Sequence, residues 1–242
     1  MSHFVTLVIL PPDIRHEFVE SNVETALEPY SVHLEVDAHE TTCFCVGMKA
    51  RVEVNAEIDK TFDIESMRKQ FTTYPPEQQT DESWSELMEP VVSMRKRLLD
   101  RHPLINKAVP DCSECNGTGV YVSCANPYGK WDWWVIGGRW DGWIFGPERE
   151  AASRDKDGGF NFGDEHHTVY NNCRPVAEIP PNEPHYVPFA IVTPQGEWLE
   201  RGEMGWWAMV SNEKDRDTWH ETVKAVFNNY PAHLAVTVDC HI

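Results

Sequence analysis

The chain has no apolar run long enough to cross a bilayer. Its first such run, Phe4 to Leu10, is short and lacks the basic residues of a signal peptide. A cytoplasmic protein with no membrane partner is therefore expected. Basic residues are scarce: 21 Lys and Arg face 39 Asp and Glu, a net charge of −18. A field of that sign disfavours nonspecific binding to nucleic-acid phosphates. It fits simple solubility, or docking onto a basic partner, mimicry of nucleic acid included. There is no phosphate-cradling loop, nucleophile elbow, Rossmann fingerprint or internal repeat. No motif names a reaction. Seven cysteines, an odd number spread unevenly, argue against a disulfide framework and for free thiols or a metal site.

What the chain does have is ordinary globular patterning over 242 residues. Phe4 to Leu10 reads as a buried strand stopped by Pro11-Pro12. Asp13 to Leu27 reads as a helix with Ile14, Phe18 and Val19 on one face. Thr41 to Met48 fits either a strand or the start of a helix. Asp81 to Arg101 is the clearest helix, with Trp84, Leu87, Met88, Val91, Met94 and Leu98 at helical spacing and Pro90 expected to kink or divide it. Residues 146–186 carry five prolines and no sustained period. Val187 to Thr193 and Trp198 to Arg201 flank Pro194-Gln195-Gly196 as a hairpin. Asp215 to Asn229 is an amphipathic helix, and Leu234 to Ile242 alternates as a half-buried strand. The expectation is an α+β fold with an antiparallel or mixed sheet and flanking helices, its C-terminal β-β-α-β unit ferredoxin-like. The division expected is 1–110, α/β and helical, and 111–242, Trp-rich and sheet-forming, as one unit or two packed lobes.

Cys112-Ser113-Glu114-Cys115-Asn116-Gly117-Thr118-Gly119 has the form of a metal knuckle. A two-residue gap lets both thiolates reach one zinc, and the glycines free backbone N–H groups to face sulfur. The segment resembles half of the cysteine-rich repeat of DnaJ-type chaperones. With no second C-x-x-C, the remaining ligands are sought at Cys124, Cys173, His102, His166 or His167. Gly163-Asp164-Glu165-His166-His167 reads as a solvated loop. Asp239 and His241, two residues apart on one face of the last strand, suit base catalysis or ligation but are expected to be an ordinary surface pair.

Five of the ten tryptophans fall between Trp131 and Trp143. If 131–135 is a strand, apolar residues occupy both faces, so a central strand with Trp140 to Phe145 returning beside it is the simple packing answer. Against full burial, each indole N–H needs a partner, and Asp132 and Asp141 offer themselves. The working surface is expected at Gly137-Gly138-Arg139, walled by Trp131, Trp133, Trp134, Trp140 and Trp143, with Trp206 and Trp207 as a second wall.

The segment Asn126-Pro127-x-x-Lys130-Trp131-Asp132-Trp133-Trp134-x-Ile136-Gly137-Gly138-Arg139-Trp140 resembles a signature of uncharacterised proteins of bacteria and their phages. Met1-Ser2-His3-Phe4, Val238-Asp239-Cys240-His241-Ile242 and the Cys112/Cys115 knuckle are similar too. The resemblance implies a phage or mobile-element setting and no particular activity. The function expected is a non-catalytic recognition protein that clamps a planar or anionic ligand or a host protein, as an inhibitor or sequestering agent. The alternatives are a metal-dependent hydrolase or nuclease, with Asp239/His241 or Glu165/His166 near the chemistry, and an acidic mimic of nucleic acid.

Overall fold

The computed structural model describes residues 2–75, 78–79, 81–147, 165–180, 183–204 and 210–242. In chain order they form β1 (His3–Leu10), α1 (Val19–Leu27), β2 (Glu35–Thr42), α2 (Met48–Thr61), α3 (Ile64–Thr72), α4 (Asp81–Asp100), β3 (Val120–Ala125) and β4 (Trp133–Ile136). There follow α5 (Glu165–Asn172), β5 (Cys173–Pro175), β6 (Ala190–Val192), β7 (Trp198–Glu200), β8 (Glu203–Met204), β9 (Val210–Ser211), α6 (Arg216–Asn229) and β10 (Leu234–His241). Two units result: Met1–Val36 with Ala125–Ile242, and Asp37–Cys124. The division expected between 110 and 111 falls inside the second of these.

Unit one is built on a mixed sheet of order β4-β10-β1-β6-β7, with β5 beside β10. The fold is α+β with flanking helices, as its patterning implied. β1 and β10 pair antiparallel over their full length, from His3 opposite His241 to Leu10 opposite Leu234. β6 runs parallel to β1 and is bonded directly to it. That departs from a ferredoxin-like split β-α-β, in which another strand separates the parallel pair.

Alternation along the two central strands sorts the cores. Phe4, Val8, Leu10, Val236, Val238 and Cys240 meet Val19, Val23 and Leu27 of α1. Leu7, Ile9 and Ala235 meet Trp219, Val223, Val226 and Phe227 of α6. Burying each large apolar side chain contributes roughly 1.5–3 kcal/mol. The helix expected from Asp13 starts only at Val19; ahead of it lies a 3-10 turn that leaves Phe18 exposed. β10 is not half-buried but central, so its polar face is sealed as well: Thr237 and Asp239 are both buried.

In unit two, β2 and β3 pair with each other. The ambiguous Thr41–Met48 segment resolves into the end of β2, a turn and the first residue of α2. Val54 and Ile58 of α2 bury against Val91 of α4, with Met88, Met94 and Leu98 beside them. α4 runs through Pro90 undivided. Packing of its apolar face outweighs the hydrogen bond that proline removes.

Two helices are opened by aspartate. Asp63 accepts from the backbone and hydroxyl of Ser66, and Asp215 from those of Thr218. The Ser66 backbone N–H holds the Asp63 carboxyl below its ordinary 3.8, and the Thr218 hydroxyl does the same at Asp215. A carboxyl lowered in the folded state gives its full stabilisation above the unfolded value and loses it as pH falls through the lowered one. Denaturant unfolding from about pH 6 down to about pH 3 should show stability falling with acidification, and the fall should be shallower in Asp215→Asn, which keeps an acceptor without the charge. Identical pH profiles would rule the cap out as a source.

Candidate functional site

Two short turns in unit two bring four cysteines together. β2 ends at Thr42, and the chain turns through Cys43 to Gly47 with Val46 N–H on the Cys43 carbonyl and Met48 N–H on that of Cys45. Gly47 sits at φ +71, where a Cβ would lie 2.4 Å from the Ile105 carbonyl oxygen. The second turn is the Cys112–Cys115 knuckle, with Asn116 N–H on the Cys112 carbonyl and Thr118 N–H on that of Cys115. Gly117, at φ +82, brings the backbone against Pro110. The Cys43 N–H donates to the Gly119 carbonyl and ties the turns together. Cys43 Sγ then lies 3.6 Å from Cys112 Sγ, and Cys45 Sγ 3.4 Å from Cys115 Sγ.

All four sulfurs lie within 4.8 Å of one another, close enough to hold one metal ion. Tetrahedral zinc with Zn–S bonds near 2.3 Å would set them about 3.8 Å apart. Burial pushes the Cys45 thiol up to about 12. Burial acts in the same sense on Cys115, but the Gly119 N–H and the thiols of Cys45 and Cys43 outweigh it and bring that thiol down to about 6.

Cys112 and Cys115 are thus in the cluster, and the partners sought elsewhere are not. Cys173 is buried in the core of unit one, Cys124 is exposed on β3, and His102 pairs with Glu53. The side chains of His166 and His167 lie outside the described residues. The other two members of the cluster are Cys43 and Cys45. Their signal in the sequence is the C-x-C pair Cys43-Phe44-Cys45 at the end of a candidate strand, a spacing different from that of the knuckle.

Most of the tryptophan segment packs against the two cores of unit one. β4 is an edge strand beside β10 and not a central one, and Trp140 to Phe145 forms two 3-10 turns in place of a returning strand. Positive φ at Gly137, Gly138 and Gly142 reverses the chain too tightly for a strand pair. Trp131 donates its indole N–H to the Leu27 carbonyl. Trp143 is buried and Trp140 half-buried, both in the α6-side core. Trp134 is half-buried against the other core. Trp133 remains 42% exposed, its ring edge-on to His3. Arg139 has an exposed side chain, while its backbone N–H donates to Asp239 at 3.0 Å. Trp206 and Trp207 lie outside the described residues. Asn126 fastens the segment by donating to the carbonyls of Pro29 and Ser31, and Lys130 pairs with Glu200.

Asp239 and His241 are not a surface pair. Asp239 is 1% exposed and accepts from the Nδ1 of His3 at 2.9 Å; His241 turns its Nδ1 to Asp132 at 2.5 Å. His3 of β1, Asp132 and Arg139 of the tryptophan segment, and Asp239 and His241 of β10 therefore meet at one place. Comparison with known protein families, with curated proteins and with solved structures returns no match.

Proposed function

We propose that the chain is a zinc-stabilised recognition protein. The observation that carries this reading is the closed set of four cysteines in unit two. Four thiolates fill a tetrahedral shell and leave no position for water or substrate, which is the pattern of a structural zinc site. Soft sulfur donors favour zinc over magnesium or calcium. The metal then organises unit two, and recognition falls to unit one.

There, Trp131 and Trp134 wall a groove of about 480 Å³ with Glu24, Glu28 and His33 also lining it. Aromatic faces beside carboxylates suit a planar cation. Arg139 does not line this groove, so its chemistry favours a guanidinium over the anionic ligand that Arg139 suggested. In a phage or mobile-element setting, the ligand would be an arginine side chain of a host protein held in a sequestering complex.

Elemental analysis should return one zinc per folded chain. Titration of tryptophan fluorescence with an arginine-bearing peptide should saturate, and Trp134→Ala or Glu28→Gln should weaken binding by about threefold to tenfold. A folded chain without zinc would remove the first half of the reading. Equal affinity in the variants, or preference for an acidic peptide, would remove the second.

A further inference from the structure

We propose that His3 and His241 of unit one hold a divalent transition-metal ion at an open site distinct from the four-cysteine centre. The two residues are direct cross-strand partners on β1 and β10, so their side chains project from the same face of the sheet. Their ring centroids lie 4.8 Å apart. Each ring is oriented by its own carboxylate, His3 by Asp239 and His241 by Asp132. An ionised carboxylate only accepts, so each Nδ1 carries a proton, and in the neutral ring the lone pair then stands on Nε2. This carboxylate–histidine arrangement is the one that fixes tautomer and ring orientation around bound metals.

Three further observations point to a ligand. The Nε2 of His241 is buried and has no hydrogen-bond partner in the protein. A buried acceptor left unpaired is costly, and a metal ion would satisfy it. The carboxylates of Asp239 and Asp132 beside the rings also supply negative charge, which a divalent cation would offset. Finally, the arrangement is held firmly. The second oxygen of Asp239 accepts from the Arg139 N–H, and that approach needs Gly138, where a Cβ would stand 2.6 Å from Asp239.

Among the described residues, the cysteine cluster is the only group of three or more His, Cys, Asp or Glu side chains placed to hold one metal ion. His3 and His241 would supply two ligands, and the remaining positions on the ion would fall to water or a ligand donor. Imidazole donors favour nickel, copper or zinc. The competing account is purely structural: both imidazoles protonated and each ion-paired with its aspartate.

The test is calorimetric titration of Ni²⁺ into the full chain already loaded with zinc. One further equivalent should bind. It should vanish in His3→Ala and His241→Ala and weaken by about tenfold or more in Asp132→Asn, where the ligand is kept and only its orienting partner is lost. Circular dichroism establishes that each variant is folded. Should the alanine variants fail to fold, NMR of the wild-type imidazoles decides: Ni²⁺ should broaden the two rings whose Nδ1–H is hydrogen-bonded to carboxylate. No further equivalent, undiminished binding in the folded variants, or broadening confined to other histidines would overturn the proposal.

Discussion

Replacing Cys115 by serine is expected to release the metal and abolish the cooperative unfolding of unit two. The reason lies in how little else holds that unit. Among its described residues, the fully buried apolar side chains apart from cysteine are Ala50, Val54, Ile58 and Val91. A core that small does not offset the conformational entropy of the chain. Structural zinc is worth about 10–16 kcal/mol in small metal-dependent domains, comparable to or larger than the ~5–15 kcal/mol stability of a whole domain. The sulfurs come from two turns, with Cys45 and Cys115 separated by 70 positions, so a lost ligand also releases a long loop closure. Calorimetry of the zinc-loaded chain should show the transition of unit two lost in Cys115→Ser, and the same loss should follow chelation of the wild type. Unit one, with its own two cores, should keep its transition. An unchanged melting profile in both cases would show that the four thiols do not hold a structural metal.

The second large effect is expected at Gly138→Ala. Gly138 sits at φ +55, and a Cβ there would stand 2.6 Å from Asp239 Cβ and Oδ2 and 2.8 Å from Val135 Cγ1. Asp239 is fixed in the central strand, so it cannot retreat. The left-handed conformation costs about 1–2 kcal/mol for a residue with a Cβ, and forced overpacking about 1–3 kcal/mol more. A loss of about 2–5 kcal/mol by denaturant unfolding is the expected outcome. Gly196→Ala is the control. It shares the positive φ, at +80, but a Cβ there meets nothing within 4 Å. It should lose only the conformational part, about 1–2 kcal/mol. Equal losses at the two positions would mean that the approach of the Gly138 backbone to Asp239 contributes nothing.

Several elements are legible in the chain because their causes are local. The β-rich run of β1, the helical spacing of α4, the amphipathic α6 with Asp215 ahead of it, and the Pro-Gln-Gly turn between β6 and β7 all depend on residues within a few positions. The Cys112/Cys115 knuckle was legible for the same reason: a two-residue gap and its glycines define a turn by themselves. The aromatic density around Trp133 was visible too, but not its meaning. Edge position, the reversal at Gly137-Gly138 and the indole bond of Trp131 to Leu27 arise from contacts with other elements.

The sequence by itself therefore determined several of the secondary elements, the α+β class and one half of the four-cysteine cluster. Tertiary structure decided the rest. Pairing of β2 with β3 brings Cys43 and Cys45 to Cys112 and Cys115. Register between β1 and β10 sets His3 beside His241 and Asp239 against His3, though the histidines stand near opposite ends of the chain. Periodicity reports which face a residue occupies, but not which distant strand lies next to it. The chemistry-bearing groups here are joined only by that second kind of information.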